Sequence, residues 1–233
     1  TEIVARLAPM LEAWRAARLE HPVALRRLPV RFEQTGFVID DWIDQRFGAG
    51  SDTDPAIWLE LDTRELIDRK GPAGVLSHRL IAPWIRSLLC AASRLPDHGI
   101  VIGRDCVVRV RPSDADRARA DLAALIDFQR QGLAEPLPVA VRTALAWVGS
   151  QSKNPTWAAS QTYDGSEFTR GEVRDPALAR CFPDFQALSA NGRFEHHARG
   201  LYGRLFDWAD SHLELSTHAE QSPPGQSTVS GAP

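Results

Sequence analysis

Apolar residues at three- and four-residue spacing open the chain. Ile3, Val4, Leu7, Leu11 and Trp14, with Arg18, fall on one face and predict a helix over residues 2–20. The spacing then changes. "VALRRLPVRFEQTGFVIDDWIDQRF" alternates roughly apolar and polar, and Gln34-Thr35-Gly36 supplies a turn. Two strands are expected there, near 24–33 and 37–45, as a hairpin. "GAGSDTDP" is a loop by composition, and "AIWLELDTREL" predicts a third strand.

"GVLSHRLIAPWIRSLLCAAS" predicts an apolar helix in which Pro83 marks either a kink or a start near Ala82. "HGIVIGRDCVVRVR" is β-branched and alternating, so a fourth strand is expected, bent at Gly103. In "PSDADRARADLAALIDFQRQG" Ser113 is placed to cap a helix, Asp114 and Asp116 suit its positive first turn, and Gly132 is placed to end it. Beyond Pro138 the pattern is helical, over about 138–149, 155–161, 175–189 and 193–213. The Ser/Pro/Gly-rich segment from Ser216 is expected to be disordered. This order places a small mixed α/β sheet first, a helical extension after it, and a tail at the end.

Composition narrows the function classes. The chain has 233 residues, 43% hydrophobic and 24% charged, with net charge −3. That balance argues against a protein that coats nucleic acid through bulk charge. There are 25 Arg and two Lys, Lys70 and Lys153, so a lysine-dependent mechanism has almost no candidates. Cys90, Cys106 and Cys181 are widely spaced and form no CxxC, which points to a reducing, cytoplasmic compartment. No apolar run approaches the roughly 20 residues of a membrane helix. The opening inside a helical pattern reads as a piece of a longer chain.

Four stretches carry a family resemblance: "HRLIAPWIRSLLCAA", "LIDFQRQGLAEPLPV", "NPTWAASQTYDGSEFTRGEVRDPALARCFPDF" and "FEHHARGLYGRLFDW". In this order and spacing, over roughly residues 22 to 210, they resemble the RecC family, the gamma chains of exodeoxyribonuclease V, at its C-terminal end. The resemblance implies a restriction-endonuclease-like core of the PD-(D/E)XK type over 1–134. It also implies a helical extension packed on that core over 135–213, with the tail at 214–233. The Pro-Leu-Pro at 136–138 would be the rigid exit from core to extension. The implied role is a non-catalytic DNA-guiding and subunit-docking module in double-strand-break repair and recombination. RecB-like and RecD-like partners would supply the ATP- and Mg²⁺-dependent activities, double-stranded DNA ends would be the substrate, and no membrane would be involved.

A nuclease of that fold needs a carboxylate on one strand and an Asp/Glu-x-Lys on the next, to bind metal and orient the attacking water. By the resemblance, Asp44 in "WID" and Asp62 in "LELDTRE" stand at those places, with Arg64 at the lysine. Arginine keeps its proton and is a planar fork, so the exchange is not conservative. The family's glycine two residues before the first Asp is Trp42 here. The site is therefore expected to be degenerate, with no metal and no catalysis. The alternative is a self-standing Mg²⁺-dependent DNA nuclease using Asp44 and Asp62.

Other chemistry is weaker. Adjacent His196 and His197 point about 100° apart on a helix and make a poor zinc set with Cys181. No Gly-rich phosphate loop and no Ser/His/Asp spacing is visible. Arg26, Arg27 and Arg31 near the first strand, and Arg104, Arg109 and Arg111 along the fourth, are the candidate DNA-phosphate contacts. Among the tryptophans, Trp14, Trp58, Trp84, Trp147, Trp157 and Trp208 are expected in the core. Trp42 is the one open to another role.

Overall fold

The computed structural model describes residues 2–50, 55–151 and 154–221. In chain order the elements are α1 (Glu2–Glu20), β1 (Val23–Ala24), β2 (Leu28–Gln34), β3 (Phe37–Ile43), β4 (Arg46–Gly48) and β5 (Ile57–Leu61). Then come α2 (Ile81–Ala92), β6 (His98–Ile102), β7 (Cys106–Val110) and α3 (Ala115–Ala134). The C-terminal part holds α4 (Val141–Val148), α5 (Pro155–Asp164), α6 (Pro176–Cys181), α7 (Phe185–Leu188), α8 (Arg193–Ala198), α9 (Arg204–His212) and β8 (Leu213–Thr217). The expected loop "GAGSDTDP" has residues 51–54 outside the described residues.

A six-stranded sheet runs in the order β1-β4-β5-β6-β7-β8, and β2-β3 form a separate hairpin. The β5–β6 pair is parallel and crosses over through α2; the other pairs are antiparallel. The fold is thus mixed α/β, as expected, but its sheet is larger than the four strands expected. Three misreadings account for this. The hairpin expected within the sheet stands apart from it, and the short strands β1 and β4 that flank the hairpin join the sheet instead. "HGIVIGRDCVVRVR" is not one bent strand: Gly103, Arg104 and Asp105 turn the chain and β7 returns on β6. A Cβ at Gly103 would stand 2.6 Å from the buried Leu66 side chain, which would have to shift to admit it. The third is β8, which lies beyond Pro138 and was expected to be part helix and part disordered tail. Leu213 to Thr217 pair with Cys106 to Val110 and extend the sheet. Residues 222–233 of the expected tail lie outside the described residues.

Helix α1 lies on one face of the sheet. Met10 and Ala17 are buried with Phe47, Ile57, Leu59, Ile100, Ile102 and Val107, and Leu7, Ala13 and Trp14 pack beside them. The inward stripe is therefore rotated from the one expected, and Val4 and Leu11 face solvent. On the opposite face Trp58, Val101, Val108 and Val110 share a core with Trp84 and Leu88 of α2, Leu122 of α3 and Val30 and Ile43 of the hairpin. Leu205, Trp208, Ala209 and Leu213 join the same cluster, so α9 packs directly on the sheet. Helices α4, α5, α7 and α8 enclose their own core around Tyr163, Phe185 and Phe194.

Local chemistry explains most boundaries. Thr35 and Gly36 both have positive φ, 50° and 81°, the geometry of a two-residue hairpin turn. Pro83 sits in the first turn of α2, where its missing amide costs little. Asp114, not Ser113, caps α3 by accepting from the amides of Asp116 and Arg117. Gly132 does not end α3. The helix continues to Ala134 and stops at Glu135, whose extended backbone (φ −150°, ψ 153°) is what the following Pro136 demands.

Ion pairs tie distant segments. Arg46 on β4 clasps Asp97 with contacts of 2.5 and 3.0 Å, both side chains nearly buried. Arg204 of α9 pairs with Asp121 of α3, and Arg193 of α8 with Glu135 at the end of α3.

The tightest packing lies across the parallel pair. Trp58 is fully buried and opposite Gly99 in register, and a Cβ at Gly99 would stand only 2.0 Å from an indole carbon. Gly99→Ala should therefore lower unfolding free energy by at least the roughly 1–3 kcal/mol of ordinary overpacking. Urea denaturation measures this, and an unchanged midpoint would refute the packing described.

Candidate functional site

Asp62 directly follows β5, and its amide donates to the Ile102 carbonyl at 2.9 Å, which fixes it beside the C-terminal end of β6. Both oxygens of its carboxylate accept from Arg64. Nε donates to Oδ1 at 2.7 Å, Nη2 to Oδ2 at 2.9 Å, and the Arg64 amide to Oδ1 at 3.1 Å. This is a fork-to-fork pair. The Asp62 side chain is 12% exposed and that of Arg64 60%. The Arg64 hydrogen bonds hold the Asp62 carboxyl below its ordinary value against the opposing effect of burial, and Arg79 adds to the lowering. Arg64 is raised by the same contact.

Asp44 lies just past β3, where the chain leaves the hairpin for the main sheet. Gln45 makes that step with φ 50°, and its carbonyl accepts from the Leu59 amide. Asp44 is brought beside Glu60 rather than bonded to the Asp62 clamp. Arg86 of α2 reaches Asp44 at 3.5 Å and Glu60 at 3.9 Å, and its guanidinium sits 5.4 Å from the Trp58 ring centre. Glu60 and Arg86 were not singled out in the sequence. Glu60 sits in plain view two residues before Asp62, whereas Arg86 is 42 residues from Asp44 and only the fold joins them.

These carboxylates do not fit a Mg²⁺ centre. Both Asp62 oxygens are committed to a guanidinium, and the other two acids share one. Among the described residues no three His, Cys, Asp or Glu side chains gather to hold a metal. His197 is buried against Phe128 while Cys181 is exposed, and the two are in no such group.

Beside the clamp is a cationic cluster. Burial first, then Arg79, Arg64 and Arg142, push the His78 pKa down, with Asp62 opposing. Arg142 lies in the first turn of α4, whose amides are capped from a distance: Glu172 accepts from the amides of Arg142 and Thr143 at 3.0 and 2.9 Å and from the Thr143 hydroxyl at 2.9 Å. His78 with Arg79, Arg142 and Glu172 come from three separate segments; none was expected at a site, although His78, Arg79 and Glu172 lie within the stretches that carry the family resemblance.

The six arginines expected at DNA fall into three places. Arg26, Arg27 and Arg31 lie at the start of the hairpin. Arg27 stacks on Trp42 at 4.4 Å, and Arg31 pairs with Glu33 at 3.5 Å. Arg104 is in the β6–β7 turn, paired with Glu65. Arg109 and Arg111 lie toward the other end of β7, roughly 16 Å along the strand, and Arg111 pairs with Glu214 at 3.6 Å. Arg26, Arg27 and Arg109 make no ion pair among the described residues. Of the tryptophans, Trp58, Trp84 and Trp208 are buried, whereas Trp42 and Trp157 are exposed, the latter against expectation.

A family model, the RecC C-terminal domain, matches residues 1–152. The chain belongs to that family. No curated protein matches it. The matched span of this RecC C-terminal domain holds every residue of the clamp, the acid pair on Arg86 and the six arginines. It stops before α5, so the two later stretches that resemble the family, 154–185 and 194–208, lie outside the match. No helix among the described residues is long and apolar enough to cross a membrane.

The clamp has a titration signature. A carboxyl held down in the folded state contributes stability at neutral pH, and loses it as pH falls through its lowered folded value. Arg64 is solvent-exposed, so the energetic effect is small. Carbon-detected NMR of the Asp62 carboxyl should give a midpoint below the ordinary carboxylate range, moving back toward it in Arg64→Ala. Identical midpoints in the two proteins would mean the clamp does not form in solution.

Proposed function

We propose that this RecC C-terminal domain is a non-catalytic DNA-guiding and subunit-docking module. It would belong to a RecC-like subunit of the cytoplasmic RecBCD helicase–nuclease (exodeoxyribonuclease V), in double-strand-break repair and homologous recombination. RecB-like and RecD-like partners would carry the ATP- and Mg²⁺-dependent steps. On this reading the core is a degenerate form of the PD-(D/E)XK nuclease fold. The observation that carries the non-catalytic part is the Arg64 fork on Asp62: both carboxylate oxygens already accept from a guanidinium, whose positive charge a metal ion would have to displace, and a guanidinium does not release a proton to activate water. A self-standing Mg²⁺ nuclease would need that carboxylate open.

The DNA part rests on arginines that leave their charge available. Arg26 and Arg27 stand at the base of the hairpin, next to the exposed Trp42 ring, and Arg109 stands on the sheet. Such contacts meet phosphate and carry no sequence information. Net charge −3 keeps the overall attraction weak.

Fluorescence anisotropy with a labelled blunt duplex tests this. Binding should be weak, indifferent to sequence, and should fall steeply between low and physiological salt as counterions are released. The double variant Arg27→Ala, Trp42→Ala should weaken it several-fold. Sequence-selective binding that survives high salt, or no loss in the variant, would contradict the assignment.

A further inference from the structure

A groove of about 570 Å³ separates the segment after β5 from α4 and α5. That is within the size range of small-ligand sites. Its walls divide by chemistry. Leu76, Leu145, Ala146, Ala158 and the Phe206 ring supply an apolar floor. Phe206 is held against the chain at Gly149, where a Cβ would stand 2.8 Å from the ring. The rim carries Lys70, His78 and Arg142. Lys70 makes no ion pair among the described residues. Asp68, the acid on this rim, closes a turn by accepting from the Lys70 amide at 3.0 Å. Glu172 approaches the Arg142 Nε only to 3.9 Å and spends its oxygens on backbone amides. The groove thus presents two cationic side chains, Lys70 and Arg142, beside the single acid Asp68.

We propose that this groove seats one nucleotide of a single-stranded nucleic acid, with the phosphate at Lys70 and Arg142 and the base on the apolar floor beside Phe206. The inference rests on the DNA role proposed above and adds a distinct site to it. Two cations beside an apolar wall match a phosphate joined to an aromatic ring. Bases in a duplex are stacked and paired and cannot enter a cavity, whereas an unpaired base offers its face to a ring or an aliphatic surface. Neither the hairpin nor Arg109 lines the groove, so duplex and single-strand binding are separable.

Anisotropy with a labelled oligothymidylate, beside the same blunt duplex, tests it. Lys70 is on an exposed loop, and Arg142→Gln leaves the backbone cap of α4 intact. The Lys70→Glu, Arg142→Gln protein should bind the single strand about tenfold more weakly or worse and the duplex nearly as well as before. Ala146→Trp, which fills the floor without touching charge, should cost the single strand about tenfold, the scale of one lost base contact. Thermal melting confirms that the variants are folded. Unchanged single-strand affinity in both variants would overturn the groove and leave the duplex reading intact. Displacement of the oligonucleotide by polyglutamate as readily as by unlabelled strand would overturn it in favour of an acidic-peptide site. Failure of the wild type to bind duplex, with groove-dependent single-strand binding intact, would sink the duplex reading and keep the groove.

Discussion

The contact of Trp58 with Gly99 organises the rest of this domain. The parallel β5–β6 pair can form at this spacing because residue 99 has no side chain, and the indole occupies the space a Cβ would take. Fully burying so large a ring supplies much of the core's apolar contact. It also sets the position of everything else on β5. Glu60 and Asp62 follow Trp58 at intervals of two, and Arg86 of α2 lies over the same ring while reaching Glu60 and Asp44. The placement of the acids is therefore a consequence of core packing.

Arginine gives this placement its chemical character. In a metal-dependent nuclease, carboxylates beside a strand end keep lone pairs for a cation. Here each of the three acids near β5 faces a guanidinium, and the Asp62 pair is bidentate. Two hydrogen bonds in one plane fix direction as well as charge, which a lysine ammonium would not do. The site is better described as an ion-paired corner that anchors the chain after β5. Asp105 extends the anchor by accepting from the amides of Leu66 and Ile67 at 2.8 and 3.0 Å. The cations left over, on the hairpin and around the α4 groove, are those with charge to offer a polyanion.

Local signals were legible and long-range ones were not. The hairpin followed from Thr35-Gly36, and α2 from its apolar spacing, because turn geometry and helix periodicity are decided within a few residues. Helix α3 overran Gly132, since an exposed glycine only weakens a helix, whereas Pro136 forbids its continuation. Strand β8 was hidden because Leu-Glu-Leu-Ser-Thr continues the apolar rhythm of α9, and only pairing with β7 makes it a strand. At the site, Asp62 and Arg64 could be read together because they are two residues apart. The partners supplied by Arg86, His78, Arg142 and Glu172 came from the tertiary fold. The family match covers residues 1–152, and two of the four stretches that carried the resemblance lie beyond it.

The central claim is that the Asp62 corner is a structural ion pair and not a metal site one residue from activity. Its most direct test is Mg²⁺-dependent cleavage of linear duplex DNA by the Arg64→Lys protein. That change restores the residue type a nuclease needs, yet metal-assisted hydrolysis also requires carboxylates held to within fractions of an ångström by their surroundings. Asp44 instead leans toward Glu60 through Arg86. The account predicts intact DNA with the wild type and with Arg64→Lys alike. Cutting by Arg64→Lys that disappears when Asp62→Ala is added would contradict it.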